Sequence, residues 1–342
     1  MARRLFLFLV AFVFVSSAAV GVQNVFAQEG DQTTKVDDAY AKAMEKRRSV
    51  EPIAERLAIT TAFLDEFPES KYTAGAVGAV VYYFGKLGNM PGAVAYTEAL
   101  REKITDPSIA RDVDKQMIVM YGEAGMMEKM LATADKLETE DALDFADYWN
   151  IIGTGVKAEN WDLVRDYCDR AKPVANGDAF RADYPDEEFT EEEVKKAGDN
   201  RMGMILVNEG WARANQGEVE GALADFANAD KLVRHSYLGI PEYDLNVYWG
   251  KTLMMKRDYG SAAERLAPDA LVMGNADALA GLRKSYAETN GGEDGFDSYA
   301  ADLHKSIATP MTAFELADYD GKRHRYSDLK AKVTLLAFWF PT

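Results

Sequence analysis

The chain is poor in the residues that carry most protein chemistry. Its 342 residues include one cysteine, Cys168, and three histidines, His235, His304 and His324. A single thiol excludes a disulfide framework of the chain's own, and no two of these four residues stand at metal-ligand spacing. There is no glycine-rich phosphate loop, no His-Glu-x-x-His and no serine nucleophile elbow. Basic residues number 39 against 56 acidic ones, a net charge of −17. That deficit argues against nucleic acid and anionic membrane surfaces as partners, and favours a neutral or basic protein. Strand-like alternation is almost absent between residues 36 and 307, which excludes a sheet-based domain there. A hydrophobic content of 48% is ordinary for a globular protein and excludes wholesale disorder.

What is present begins with an apolar leader. Met1-Ala-Arg-Arg4 is basic, Leu5 to Val15 is strongly apolar, and Val25-Phe-Ala27 forms an A-x-A-like site before Gln28. This three-part layout predicts a signal peptide over residues 1–27, cut between Ala27 and Gln28. The alternative is an uncleaved membrane anchor over residues 5–22, a stretch nearly long enough to span. Arg3-Arg4-Leu-Phe-Leu7 is a weak echo of a twin-arginine signal, and no cysteine near position 28 supports a lipoprotein. Either way the body is expected outside the cytoplasm, periplasmic or secreted, where disulfide chemistry is allowed.

After a polar linker over residues 28–35, apolar residues recur at spacings of three and four through residues 36–307, the mark of amphipathic helices. The stretch Gly210 to Ala229 places Gly210, Gly217, Ala222, Phe226 and Ala229 at intervals that resemble the tetratricopeptide repeat at its positions 8, 15, 20, 24 and 27. Positions 7 and 11, usually Leu and Tyr, are Glu209 and Arg213. Laid along the chain, the same frame puts position 15 at Gly88, Gly125, Glu159, Gly217 and Arg257. Position 17 falls at Met90, Met127, Trp161, Val219 and Tyr259, and position 20 at Ala93, Met130, Val164, Ala222 and Ala262. Small residues let paired helices approach, and no repeat buries its apolar face alone, so a mainly α solenoid of stacked helical hairpins is expected. Ile53 to Phe67 reads as a helix stopped by Pro68, and Ala276 to Glu288 and Phe296 to Ile307 as a final pair separated by Asn290-Gly-Gly292.

The widest step in the frame holds an acidic insertion near residues 174–200. Asn176 to Glu188 reads as a loop, and Thr190-Glu-Glu-Glu193 has capping-box spacing and predicts a helix start. The acidic stretch is either solvated surface or a dock for a basic partner. If the array binds a protein or peptide, its inner face belongs to the first helix of each hairpin, and Asn208, Trp211 and Asn215 are the groove candidates; Trp211 has a core-packing alternative. Cys168, at position 24, is expected to be a buried structural thiol, and Met126, Met127, Met130, Met202, Met204, Met254 and Met255 core filler. His304 and His324 are expected at the surface, and no cofactor or metal is expected.

The C-terminal stretch changes character. Phe314-Glu-Leu is joined through Asp318-Tyr-Asp-Gly321 to Lys322–Arg325, a strand–turn–strand pattern, and Val333 to Phe340 is a short apolar run that reads as a buried strand. In order, Phe314, Leu316, Asp318, Asp320, Gly321, Lys322, Ser327, Asp328, Leu329, Lys330, Lys332, Val333, Leu335, Leu336, Phe338 and Trp339 resemble the opening of a TlpA/redoxin-type thioredoxin-like domain. Thr312, Ala331 and Phe340-Pro-Thr342 depart from that pattern without removing a fold requirement. The resemblance covers residues 308–342 and implies the first part of a thioredoxin-like α/β domain in an exported thiol–disulfide oxidoreductase. It implies a Cys-x-x-C directly after Thr342, with the first thiolate attacking a substrate disulfide and the second resolving it. These 342 residues, lacking that pair, are expected to be inactive alone. The alternative is a tetratricopeptide interaction scaffold with no catalytic activity.

Overall fold

The computed structural model describes residues 29–236, 238–307, 315–317 and 320–325. They divide between two compact units, one ending at Ala142 and the other beginning at Leu143, where the periodicity alone suggests one continuous domain. The first unit holds α1 (Glu29–Ser49), α2 (Ile53–Glu66), α3 (Thr73–Lys86), α4 (Met90–Arg101), α5 (Pro107–Glu123) and α6 (Met127–Thr139). The second holds α7 (Phe145–Lys157), α8 (Trp161–Ala171), α9 (Gly177–Asp183), α10 (Glu191–Asn215), α11 (Val219–Ala229), α12 (Leu245–Met255), α13 (Tyr259–Ala267), α14 (Ala276–Asn290) and α15 (Phe296–Ile307). Strands β1 (Glu315–Ala317) and β2 (Arg323–Arg325) pair antiparallel with Leu316 opposite His324.

Five helical hairpins, α3/α4, α5/α6, α7/α8, α10/α11 and α12/α13, are closed in one way. At each turn the residue at frame position 15 lies in the left-handed region: Gly88 at φ 68°, Gly125 at 70°, Glu159 at 53°, Gly217 at 87° and Arg257 at 61°. The next N–H returns to a carbonyl five residues back, as in Asn89 to Phe84 at 2.9 Å, Met126 to Tyr121 at 2.8 Å and Asp258 to Leu253 at 2.9 Å. This is the closure that satisfies the last carbonyls of a helix, and it needs one left-handed residue. Position 17 is the first residue of the second helix in every hairpin. Position 20 is fully buried in all five, with Ala93, Met130, Val164, Ala222 and Ala262 each 0% exposed. The chain is therefore mainly α, a tetratricopeptide-like array of helical hairpins.

Several expectations need correction. Residues 29–35 of the expected linker are the first turns of α1. The expected loop Asn176 to Glu188 contains α9, preceded by a 3-10 turn at Lys172–Val174. Acidic composition hides its organising feature: Phe180, Tyr184 and Phe189 meet with ring centres 4.9–6.2 Å apart. Asn176 caps the helix by accepting from the Ala179 N–H at 3.0 Å. The second half behaves as expected, since Thr190 and Glu193 form a reciprocal capping box and α10 begins there. At the C-terminal end the strand–turn–strand forms, with Gly321 at φ 78°. The described residues of this stretch form this two-stranded sheet and show no thioredoxin-like fold. The expected strand Val333–Phe340 and the leader 1–27 lie outside the described residues. No described helix is long and apolar enough to cross a membrane.

Candidate functional site

Helix α10 is the axis of the second unit. It packs on α8 and α9, which precede it in the chain, and on α11 and α12, which follow it. Its C-terminal half carries the three groove candidates at spacings of three and four, on one helical strip. The structure separates their roles. Asn208 is buried, and its amide nitrogen donates to the Met204 carbonyl of the preceding turn at 3.0 Å. Trp211 is half-buried, stacked on Tyr248 of α12 with ring centres 4.7 Å apart, and edge-on to Trp161 of α8 at 6.2 Å. It joins the three helices by aromatic packing. Asn215 is exposed, with its amide on the Trp211 carbonyl at 2.8 Å.

The two departures from the repeat pattern explain each other. Arg213 donates to Glu209 at 2.8 Å and to Asp225 of α11 at 3.0 Å, while Lys172, at the end of α8, stands 2.9 Å from the other Glu209 oxygen. An ion network thus replaces the apolar pair usual at these positions and links α8, α10 and α11. Glu209 and Asp225 are 5% and 8% exposed. Burial pushes the Asp225 carboxyl up to about 6, against the pull of Arg213 and with the push of Glu209.

The N-terminal half of α10 forms the floor of a cleft of about 790 Å³. Its walls come from the start of α7, from α9 and from the segment that follows α11, and they include Phe145, Phe180, Tyr184, Met204 and Val233. Two glycines of α10 let the walls come close. A Cβ on Gly198 would meet the Gly177 nitrogen and stand 2.8 Å from the Asn176 carbonyl carbon. A Cβ on Gly203 would stand 2.8 Å from the Val233 nitrogen. Between them Arg201 rises into the cleft, 8% exposed. One terminal nitrogen, Nη2, pairs with Asp183 of α9 at 2.7 Å. The other, Nη1, is shut from solvent and has no hydrogen-bond acceptor among the described residues. The guanidinium carbon lies 4.8 Å from the Phe145 ring centre and 5.1 Å from that of Phe180.

Sequence reasoning passed over Arg201 because a lone arginine inside an acidic segment carries no motif. The available signal was the Gly198-x-x-Arg201-x-Gly203 spacing on a helix, where two glycines mark close backbone approach. The cleft lining holds no Ser, Thr, Cys or His. Cys168 is buried at 0% exposure with its thiol facing the Ile205 carbonyl at 3.8 Å, and burial pushes its pKa up, against thiolate formation. Among the described residues no three His, Cys, Asp or Glu side chains are grouped to hold a metal ion.

No protein-family model matches the chain, and comparison with curated proteins gives no match. Among solved structures, the chain is similar to YrrB, a TPR protein with an unusual peptide-binding site, at 17% identity and TM-score 0.40, covering 64% of this chain and 96% of that one. It is similar to BtubC from P. vanneervenii at 11% identity and TM-score 0.40, covering 84% and 97%. A tetratricopeptide repeat protein from Parabacteroides merdae ATCC 43184 gives 12% identity and TM-score 0.35, covering 81% and 100%. Likeness this loose says nothing of partners or activity.

Proposed function

We propose that the chain is a protein-interaction scaffold whose second unit grips a peptide segment of a partner. The cleft on α10 carries this reading. It is of peptide-side-chain scale, aromatic on its walls and built around one half-paired buried guanidinium, the mixture of apolar wall and few fixed polar groups that recognition sites use. Trp211, half-buried between Trp161 and Tyr248, offers a second aromatic contact further along the same helix. Selection of a displayed random-peptide library on the full chain tests the reading. Reproducible enrichment of a sequence class supports it, and no enrichment over an unrelated helical protein ends it.

A second reading follows from the C-terminal resemblance and the Asp320-Gly321 hairpin: a parent protein in which this scaffold precedes a thiol–disulfide oxidoreductase domain. A coding sequence continuing with Cys-x-x-C after Thr342, and disulfide reduction by the extended chain, support it. A stop codon after Thr342 removes it. Export is part of both readings; secreted protein beginning at Gln28 supports it, and intact Met1 on a cytoplasmic species contradicts it.

A further inference from the structure

We infer that the α10 cleft takes an acidic peptide segment, with Arg201 receiving a side-chain carboxylate flanked by an aromatic residue. The inference rests on the scaffold reading and names the chemistry of the partner. Its first observation is the incomplete pairing of Arg201. A guanidinium presents two parallel N–H forks, each matched to a carboxylate. Asp183 occupies the edge at Nη2, and Nη1 is left buried without an acceptor. A buried N–H in that state is destabilising relative to a satisfied one, and an oxygen entering from the cleft removes that cost.

The second observation is the charge of the lining. Its acids are already engaged: Asp144 accepts from the Ala146 and Asp147 N–H groups at the start of α7, Asp183 pairs with Arg201, and Asp199 pairs with Lys195. Two lining cations are engaged by acids outward of the cleft, Lys196 by Glu192 and Arg234 by Glu242. Lys231 is different. It is exposed, and its hydrogen bond is a 3.4 Å contact to the Asn228 side-chain oxygen, with no acid at ion-pair distance among the described residues. Lys231 at the rim and the half-paired fork of Arg201 below it are thus the two cationic groups of the lining with donor capacity left for a carboxylate, in a chain of net charge −17. The long-range field of such a chain repels acidic partners and is screened by salt within about 8–10 Å. A contact pair inside a low-dielectric cleft is screened less, so the local cations set which segment fits.

The walls supply the second half of the chemistry. Phe145, Phe180, Tyr184 and Val233 line the space beside Arg201 and suit an aromatic or large aliphatic neighbour of the carboxylate. Entry requires the Phe180 ring, carried on the seven-residue α9, to swing off the guanidinium.

Fluorescence anisotropy on the full chain tests this with two labelled hexapeptides, Gly-Phe-Asp-Asp-Phe-Gly and its Asn-Asn counterpart. The Asp probe should bind about tenfold tighter than the Asn probe. Arg201→Lys should lose about tenfold for the Asp probe, because lysine keeps the charge and loses the fork. Lys231→Gln, at an exposed site that leaves the fold alone, should lose about threefold. Equal binding of the two probes, or full affinity in Lys231→Gln together with a folded Arg201→Lys, overturns the inference. If the displayed library enriches peptides without acidic residues, this inference fails and the scaffold reading stands. If it enriches nothing, both fail.

Discussion

Glu159 and Arg257 occupy the turn position that glycine fills in the other three hairpins, and both are held at positive φ. A side chain there costs about 1–2 kcal/mol in the left-handed region, part of which glycine returns as unfolded-chain entropy. Glu159→Gly and Arg257→Gly should each therefore stabilise the fold by about 0.5–1 kcal/mol in urea unfolding. Lower stability in either would mean that their side chains hold the turns in some other way. The position is legible from spacing alone, since the repeat frame places its position 15 on five residues that the structure holds at positive φ. Arg213 and Glu209 were visible only as departures, because their partners Lys172 and Asp225 come from other helices. The raised carboxyl of Asp225 makes a pH prediction. A folded pKa of about 6 above an unfolded value near 3.8 means that the stability it contributes is complete below pH 3.8 and is lost as pH rises through 6. Unfolding of the wild type and Asp225→Asn, compared at pH 4 and pH 7, should show the Asn variant gaining about 2–3 kcal/mol relative to wild type over that interval. A difference that does not change with pH contradicts the assignment.

At the scale of elements, the insertion is where sequence and structure part company most. Its acidic residues read as solvated loop, whereas α9 is held by three aromatic rings and by backbone contact with α10 at Gly198. The capping box at Thr190 was legible because it is a local pattern; the Gly198 contact was not, because nothing local tells a close-approach glycine from a flexible one. Gly198→Ala should push α9 away from α10 at a cost of about 1–3 kcal/mol. Hydrogen exchange across residues 177–183 should rise sharply while the α12/α13 hairpin keeps its protection. Unchanged exchange in α9 would show that the approach is not as close as described. Thr190→Ala removes one side of the capping box and should cost about 1 kcal/mol, with fraying confined to the first turns of α10.

Over the whole molecule, five identically closed hairpins are divided between two compact units, the second carrying the proposed peptide cleft on its longest helix. The helical class and hairpin register were written in the sequence because they depend on short-range spacing. The cleft was not, because its walls come from α7, α9, α10 and the segment after α11, separated along the chain and joined only by packing. Hydrogen exchange of the full chain, with and without a saturating library-selected peptide, tests the central claim most directly. Protection should concentrate in residues 177–183, 196–204 and 231–234, with the first unit unaffected. A peptide that binds tightly yet leaves these three segments unprotected would contradict it.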